Sequence, residues 1–491
     1  MSLFRSVATV FTLSLLAVSP AGAAANVANV ANPAPTPQYR PAYHFTPAAH
    51  WMNDPNGMVY QQGTYHLFYQ YYPGGSVWGP MHWGHSTSTD LLTWRQQPVA
   101  LEPDRMGYIF SGSAVVDANN TAGFGKNALV AVFTHHDPLG EKTGKLAFQR
   151  QSLAYSTDGG LTWNKYVNNP VLNNPGIRDF RDPKVFWHAP TRKWIMALAT
   201  EDRISFYSSP DLKAWHMEGD FGQGMGAHGG VWECPDLFPL TLNGRTRWVL
   251  LVSLNHGAPN GGSGTQYFVG DFDGHVFTPD SSTVRWVDYG PDDYAGVTWS
   301  NTGERRIFLG WMNNWDYADK LPTAPWRGSM TVPRELSLRQ VGKEVYLASQ
   351  PVRELKKAAL PGIFLDLDQP FKARKLAARL KQFGGSFTLT LKTERLNNFT
   401  LTLESEQGEK LAIGYDKAAG QYFIDRRASG LVDFSEAFPR RAVAPRLAKG
   451  RAAEIRLLFD AGSVELFADQ GLTAMSALFF PKTPLARISI D

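Results

Sequence analysis

The sequence has 491 residues, with 48 Lys and Arg against 44 Asp and Glu. This length exceeds the size at which single hydrophobic cores usually stop growing, so two domains are expected. Charge is nearly balanced and no block of basic residues stands out, which argues against a nucleic-acid-binding face. The only cysteine, Cys234, excludes an intramolecular disulfide, so the fold must be stable through packing alone.

Residues 1–23 have the composition of a secretory signal peptide. Arg5 precedes an apolar stretch from Val7 to Val18, and small residues at 21–23 fit an A-x-A cleavage site. A buried N-terminal helix is the alternative, but nothing amphipathic follows it. No later apolar run approaches the roughly 20 residues that a transmembrane helix needs. We therefore expect an exported protein, periplasmic or extracellular, without membrane association after signal removal.

Residues 24–40 are rich in Ala, Asn and Pro, and this composition predicts a low-complexity linker. From 41 to 347, short β-type runs such as Tyr65 to Gln70 and Ala128 to Thr134 are separated by turns rich in Gly, Asn, Asp and Pro. Few segments there have a helical period. This region is predicted to be all-β.

A loose internal repeat refines that prediction. The segments S-T-D-L-L-T-W (88–94), S-T-D-G-G-L-T-W (156–163), S-P-D-L-K-A-W (209–215) and, more weakly, D-F-D-G-H-V-F (271–277) each place a turn-forming Asp before an aromatic residue. Their final aromatics are 52 to 69 residues apart, close to the length of a four-stranded propeller blade. The region therefore predicts a five-bladed β-propeller, with a β-sandwich as the alternative.

The C-terminal part of the sequence has a different pattern of predicted strands. Residues 348–362, with Pro351 and Pro361, are predicted to join two domains. Residues 363–491 contain alternating strands such as Ser386 to Leu391 and Ile455 to Phe459, which indicate a smaller two-sheet sandwich.

Three segments of the predicted propeller place acids beside rigid or aromatic neighbours. They are W-M-N-D-P-N-G (51–57), F-R-D-P (180–183) and W-E-C-P-D (232–236). Because a propeller brings the inner strand of every blade to one axis, acids from distant blades can meet in a central pocket. Glycoside hydrolysis requires two such carboxyl groups. Taken alone, Asp54 fits a turn residue that caps its own backbone, and Asp182 fits a loop residue in an ion pair. Glu233 lies in an apolar run, where the burial of its carboxylate requires a partner.

The chain also resembles the β-fructosidases of glycoside hydrolase family 32. The resemblance rests on H-F-T-P-A-A-H-W-M-N-D-P-N-G, F-Y-Q-Y-Y-P, W-G-P-M-H-W-G-H, F-S-G-S-A-V, F-R-D-P-K-V-F, W-E-C-P-D-L-F and S-V-E-L-F-A-D, in order from about residue 42 to the C-terminus. It implies a five-bladed propeller followed by a β-sandwich. It also implies Asp54 as nucleophile, Asp182 as transition-state stabiliser and Glu233 as acid/base.

The same resemblance implies residues that hold a terminal fructose. They are Trp51, Asn53, Gln70, Trp78, Phe110, Ser111 and Arg181. The charge that develops on the anomeric carbon must be stabilised by nearby anions, so we expect ionised aspartates, Asp182 being kept ionised by Arg181. Glu233 must begin the reaction protonated.

Other chemistries fit the sequence less well. His82 and His85, and the pair His135 and His136, lack the accompanying ligands of a zinc site, so no metal or cofactor is expected. The F-S-G-S segment at 110–113 lacks the G-x-S-x-G elbow of a serine hydrolase. A sialidase would need clustered arginines and a nucleophilic Tyr that cannot be assembled here.

The segment from Trp311 to Gly328 resembles bacterial levanases and exo-inulinases more than sucrose-specialised invertases, with Trp315 at the rim of the pocket. The expected function is removal of fructose from the non-reducing ends of levan or inulin, and from sucrose. An invertase, a fructosyltransferase on the same scaffold and a non-catalytic carbohydrate-binding propeller stay open, as do endo-cleavage, disaccharide release and the oligomeric state.

Overall fold

The computed structural model describes residues 38–369, 380, 383 and 385–491. The predicted signal peptide, and the predicted linker up to residue 37, lie outside the described residues. The described part consists mainly of β-strands, with one short helix, α1 (Pro138–Lys142), and two 3-10 turns at Ala318–Lys320 and Arg353–Ala358. No helix among these residues is long and apolar enough to cross a membrane.

Five antiparallel sheets follow one another along the described chain from residue 50 to residue 351, and we call them blades one to five. Blade one comprises β1 (His50–Gln61), β2 (Thr64–Tyr72), β3 (His82–Ser88) and β4 (Arg95–Leu101). Blade two comprises β5 (Tyr108–Asp117), β6 (Ala128–His136), β7 (Gln149–Ser156) and β8 (Asn164–Lys165). Blade three comprises β9 (Phe180–His188), β10 (Lys193–Thr200), β11 (Arg203–Ser209) and β12 (His216–Phe221).

Blade four comprises β13 (Trp232–Leu242), β14 (Arg245–Leu254), β15 (Gly264–Phe272), β16 (Phe277–Pro279) and β17 (Arg285–Trp286). Blade five comprises β18 (Tyr294–Thr298), β19 (Ile307–Trp311), β21 (Arg334–Val341) and β22 (Glu344–Pro351). Between the second and third strands of blade five, the short β20 (Trp326–Arg327) pairs in parallel with β1 and so ties the last blade to the first.

The first strand of each blade lies innermost, because β1, β5, β9, β13 and β18 contact one another around the axis. Blades pack on both faces, so a strand such as β6 is buried along its whole length. The predicted five-bladed propeller is confirmed.

The repeated Asp turns connect the third and fourth strands of blades one to four. Asp90 accepts hydrogen bonds from the backbone N–H groups of Leu92 and Thr93, at 2.9 and 2.7 Å. Asp158, Asp211 and Asp273 cap the equivalent turns in the same way. These side chains supply acceptors to turn N–H groups that no strand satisfies, which explains why the motif recurs in each of the first four blades.

The C-terminal domain consists of two packed sheets. One has the order β23 (Gly362–Asp366), β24 (Phe387–Thr393), β29 (Ala453–Asp460), β30 (Ser463–Ala468) and β31 (Thr473–Leu478). The other has the order β28 (Arg441–Pro445), β27 (Gln421–Ala428), β26 (Lys410–Asp416), β25 (Phe399–Ser405) and β32 (Leu485–Ile490). In β24, alternate side chains at Phe387, Leu389 and Leu391 are buried, as expected for a sheet with one face in a core. The predicted β-sandwich is confirmed.

A buried ion network joins the propeller to the sandwich. The guanidinium of Arg334 in blade five donates to Asp288 and Asp293, both at 2.9 Å, and to Glu465 of the sandwich at 2.8 Å. Nearby, Arg426 of the sandwich donates to Asp292 of the propeller at 2.6 Å. All six side chains are buried, so these charges depend on one another across the interface.

Candidate active site

Each innermost strand is irregular near its N-terminal end. The pairing with the neighbouring strand shifts between Met52 and Pro55, between Ile109 and Gly112, between Arg181 and Lys184, between Glu233 and Asp236, and between Tyr294 and Val297. Such bulges bend a strand and re-aim its side chains. Three of the residues within them, Asp182 (φ 63°), Cys234 (φ 46°) and Ala295 (φ 53°), adopt the left-handed backbone conformation that non-glycine residues rarely occupy.

The bulges of the first four inner strands contribute residues to a cavity of about 250 Å³ at one mouth of the propeller. The predicted residues that line it are Asn53, Asp54, Gln70, Trp78, Phe110, Ser111, Arg181, Asp182, Glu233 and Trp315. Four further residues line it that sequence reasoning did not assign to the site: His136, Glu141, Gln149 and Asp179. The three predicted acids, contributed by blades one, three and four, therefore share one small pocket.

Trp51 is the exception among the predicted residues. Its side chain is 1% exposed and lies behind the pocket instead of lining it. Its indole Nε1 donates to Asn53 Oδ1 at 2.8 Å, and its ring stacks beside Trp315 with centroids 6.1 Å apart. The structure thus places Trp51 as a support for two pocket residues, because its own burial leaves no face for a ligand.

Cys234 links the two aspartates. Its Sγ lies 3.5 Å from Asp54 Oδ2 and 3.6 Å from Asp182 Oδ2, so these two oxygens are at most about 7 Å apart. The backbone N–H of Cys234 also donates to Asp182 Oδ2 at 3.1 Å. Ser111 Oγ lies 3.3 Å from Asp54 Oδ2. The aspartates therefore face one another across the pocket floor, held by a thiol and a hydroxyl.

Glu233 has a cationic and a phenolic partner. Arg181 donates to Glu233 Oε1 through Nε at 3.2 Å and Nη2 at 2.9 Å, and the Tyr294 hydroxyl donates to Glu233 Oε2. Arg181 Nε is 4.0 Å from Asp182 Oδ2. Arg181 therefore lies closer to Glu233 than to Asp182, and its effect on Asp182 is exerted from a longer distance than the sequence suggested.

Asp54 and Asp182 lie close to other acids in a partly desolvated pocket, and this raises the pKa of both. Burial, together with the charges of Asp182 and Glu233, raises the pKa of Asp54 to about 7. Burial also raises the pKa of Asp182 to about 6, although the Arg181 guanidinium opposes that rise. Both aspartates thus hold their protons more tightly than the sequence-based expectation of ionised groups implied, because taking several negative charges out of water together is unfavourable.

Aromatic rings form the rim of the pocket. The side chain of Trp78 is 43% exposed, and Trp315 and Phe110 are partly exposed. The ring of His136 stacks on Phe110 at a centroid distance of 4.1 Å, and its Nε2 lies 3.2 Å from Glu141 of α1. This arrangement explains the pair His135 and His136 of the sequence: His136 supports an aromatic wall, while His135 Nδ1 faces Ser152 at 2.7 Å.

Comparison with known proteins assigns the chain to a family. The glycosyl hydrolases family 32 N-terminal domain matches residues 44–351, and the family 32 C-terminal domain matches residues 365–490. The chain belongs to glycosyl hydrolase family 32. It is 46% identical over 467 residues to a levanase of Bacillus subtilis, covering 90% of this chain and 66% of that protein. It is 40% identical over 489 residues to an extracellular exo-inulinase of Aspergillus niger, covering 90% of each.

Solved structures of family 32 proteins have the same fold. The exo-inulinase of Aspergillus awamori superposes with a TM-score of 0.79 at 36% identity, covering 92% of this chain and 95% of that one. The β-fructofuranosidase of Schwanniomyces occidentalis, solved with fructosyl-erythritol, superposes with a TM-score of 0.80 at 33% identity, covering 92% and 94%. The family predicted from the sequence is confirmed.

Some residues at or beside the pocket have no recognisable motif in the sequence. Tyr294 stands in an unremarkable strand, and only its position at the start of the fifth inner strand could have indicated that it reaches the axis. Asp179 lies two residues before Arg181, to which it bonds, and could have been noticed as part of the same acidic segment. Gln149 and Glu141 come from the outer part of blade two, so their place at the pocket follows only from tertiary packing.

Proposed function

We propose that this protein is a β-fructosidase that releases fructose from the non-reducing ends of β-fructans, and from sucrose, through a covalent fructosyl-enzyme. The observation that carries the proposal is the meeting of Asp54, Asp182 and Glu233 in one cavity of about 250 Å³. The names of the relatives, levanase and exo-inulinase, support the substrate class.

In the proposed mechanism, Asp54 attacks the anomeric carbon of a terminal fructose. Glu233 donates its proton to the oxygen of the leaving sugar, and that bond breaks as the ester to Asp54 forms. Glu233, now ionised, then takes a proton from water, which attacks the same carbon and releases fructose and free Asp54. The Arg181 guanidinium and the Tyr294 hydroxyl hold Glu233 and stabilise its ionised form between the two steps.

Asp182 is proposed to stabilise the transition state. Its Oδ2 is fixed by the Cys234 backbone N–H, so its remaining oxygen is available to bind fructose hydroxyls. Asn53 and Gln70 line the same wall and provide amide groups for further hydroxyls. Ionisation of the aspartates is favoured by the positive charge that develops on the furanose ring, because an opposite charge within a few ångströms lowers the pKa of a carboxyl group.

The size of the pocket favours action at chain ends. A cavity of about 250 Å³ lies below the usual range of about 300–1,000 Å³ for small-molecule sites and suits a single sugar unit. The exposed Trp78 and the partly exposed Trp315 are then placed to stack on the next unit, which leaves with the rest of the chain. The sugar units beyond that one would extend out of the propeller mouth into solvent.

Product analysis tests the proposal. The protein is incubated separately with levan, inulin and sucrose, and the products are resolved by size over time. Exo-hydrolysis predicts free fructose from the first time point with no ladder of short oligosaccharides. A ladder would indicate endo-cleavage, and early accumulation of disaccharide would indicate a disaccharide-releasing enzyme. Growth of longer chains at high sucrose would identify a fructosyltransferase, and activity confined to sucrose an invertase.

Matched variants test the roles of the acids. Glu233→Gln keeps the shape of the side chain and removes its proton, so fructose release should fall by about 10²–10⁴-fold. Addition of azide, a nucleophile that needs no general base, should restore turnover of a substrate with an activated leaving group in this variant only. Asp54→Asn should be inactive and should not be rescued. Unchanged activity in either variant would contradict the assignment.

We also propose that the protein is exported, to the periplasm or the medium. The signal-like residues 1–23 and the extracellular location in the names of its exo-inulinase relatives support this. Fractionation of cells that express the full chain, followed by N-terminal sequencing of the mature protein, tests it. Intact residues 1–23 in an active cytoplasmic fraction would contradict the proposal.

A further inference from the structure

A second cavity, of about 690 Å³, opens at the opposite end of the propeller axis. It is lined by the C-terminal halves of the inner strands, including Lys184 of β9, Asp236 of β13 and Thr298 of β18, and it extends between blades three and four. None of the described residues lines both this distal cavity and the catalytic pocket. The two sites are therefore built from opposite ends of the same strands.

Asp236, which lines the distal cavity, carries a buried carboxylate with an unused oxygen. Asp236 is fully buried, and its Oδ2 accepts from the backbone N–H and hydroxyl of Thr298 at 2.6 and 2.8 Å and lies 3.0 Å from Lys184 Nζ. Its Oδ1 has no hydrogen-bond partner within the described part of the chain. A buried oxygen left without a donor is costly, so it requires a donor from water or from a ligand.

The charges around that oxygen restrict the ligand. A cationic ligand is disfavoured, because Lys184 already neutralises Asp236 and Arg306 adds a second positive charge at the cavity wall. An anionic ligand is disfavoured at the floor, because Asp236 Oδ1 would repel it. A neutral molecule with hydroxyl groups satisfies both restrictions, since a hydroxyl can donate to Asp236 and accept from Arg306.

Aromatic side chains provide the walls. Trp187 is 37% exposed at the mouth and contacts Trp194, with ring centroids 5.2 Å apart. Trp248 also lines the cavity, and its ring contacts His188 and Phe272 at centroid distances of 5.7 and 5.3 Å. Flat apolar faces above a hydrogen-bonding floor match the two surfaces of a sugar ring, which presents C–H groups on its faces and hydroxyls at its edge.

We propose that this distal cavity is a second carbohydrate-binding site, which takes one or two neutral sugar units without cleaving them. Its volume lies within the range of about 300–1,000 Å³ that is usual for small-molecule sites. It holds Asp236 as the hydroxyl acceptor, Arg306 as a donor, and Trp187 and Trp248 as stacking surfaces. The site is independent of the proposed catalysis, because it uses none of the catalytic residues.

The test uses the full chain labelled with 5-fluorotryptophan and observed by ¹⁹F NMR. The resonances of Trp187, Trp248 and Trp315 are assigned by their loss in Trp187→Phe, Trp248→Phe and Trp315→Phe. Titrations with fructose and with a β(2→1)-linked fructan trisaccharide are made in the Asp54→Asn variant to prevent hydrolysis. Glycerol serves as a small polyol control and citrate as an anionic control.

A saturable shift of the Trp187 and Trp248 resonances with either sugar, and no saturable shift with glycerol or citrate, is the expected result. Trp187→Ala should weaken sugar binding, followed at Trp248, by about 10-fold, while Phe364→Ala, which removes an exposed aromatic ring from the sandwich, should leave it unchanged. Hydrolysis of sucrose by Trp187→Ala in the otherwise native chain should stay within twofold of the parent.

Two outcomes would overturn the proposal. One is that Trp315 responds to sugar while Trp187 and Trp248 do not, which leaves the catalytic proposal intact. The other is a saturable response of Trp187 to citrate alone, which would identify an anion site. Loss of the Trp315 response or of fructose release, with Trp187 still responding, would instead count against the proposed function and not against this site.

Discussion

Asp54, the proposed nucleophile, should destabilise the folded protein at neutral pH. Burial and two neighbouring acids raise its pKa from 3.8 to about 7, so between these values the unfolded chain releases a proton that the folded chain retains. Folding stability therefore falls as the pH rises from about 4 to about 7, and it does not recover above that. Asp54→Asn removes this ionisation and should make the protein more stable at neutral pH.

The size of the effect follows from that pKa. A change from 3.8 to about 7 corresponds to about 4 kcal/mol once the group is ionised in both states. We expect about 2–4 kcal/mol, because the pocket is open to water at its mouth. A cooperative unit of about 450 residues, propeller and sandwich together, gains roughly 1 °C in Tm per kcal/mol. Asp54→Asn should thus raise the apparent Tm by about 2–4 °C at pH 8 and by less than about 1 °C at pH 4.

Differential scanning calorimetry at a fixed scan rate, in steps from pH 4 to pH 8, measures this difference. Asp433→Asn, the same chemical change at an exposed loop position of the sandwich, is the matched control and should show a flat difference across the series. The reasoning would be refuted by an Asp54→Asn difference that is independent of pH, or by one that decreases as the pH rises.

Four further outcomes are expected. Tyr294→Phe should lower kcat by about 10–100-fold with little change in KM, because Glu233 loses a hydrogen-bond donor; a change confined to KM would disagree. The acid limb of kcat/KM should lie well above pH 4, towards pH 6–7, because the proposed nucleophile must be ionised. The pKa values of Asp182 and Asp54 are raised to about 6 and about 7. A limb near pH 4 in a pH–rate profile would contradict this. Trp51→Phe, which loses the bond to Asn53, should raise KM for sucrose by about 2- to 10-fold, and an unaltered KM in steady-state assays would argue against a supporting role. Arg334→Met should lower the free energy of unfolding, measured with denaturant, by about 3–5 kcal/mol, since it leaves three buried carboxylates without their cation. Arg245→Met, which removes an exposed ion pair, should lower it by less than about 1 kcal/mol. Equal effects of the two substitutions would count against the buried network.

The sequence predicted the propeller and the three acids because both leave local signatures. The Asp turns recur in each of the first four blades, since each caps the same loop between the third and fourth strands. The acids stand in short motifs with aromatic neighbours, and propeller geometry explains how they meet. These features could be found without coordinates because each depends on residues that are adjacent in the chain.

Other features depend on packing between distant segments and could not be predicted. The motif containing Trp51 suggested a pocket wall, but the indole is directed into the core, where it supports Asn53 and Trp315. Arg181 was expected to act on its neighbour Asp182, yet the bulge in β9 carries its guanidinium towards Glu233. Glu141 and Gln149 reach the pocket from the outer part of blade two. In each case the direction of a side chain was decided by a bulge or by a neighbouring blade.

The buried ions between the propeller and the sandwich limit how the chain can be divided. A cut between Val352 and Pro361 would leave Asp288, Asp292 and Asp293 on the propeller fragment, with Arg334 as the only cation of the network there. Arg426, on the sandwich fragment, would lose its partner Asp292. Each fragment would then expose or bury unmatched charge at the face where the two domains meet. The catalytic propeller should therefore aggregate or misfold when produced alone. An exchange of sandwiches between relatives should succeed only when both sides of the ion network are exchanged together.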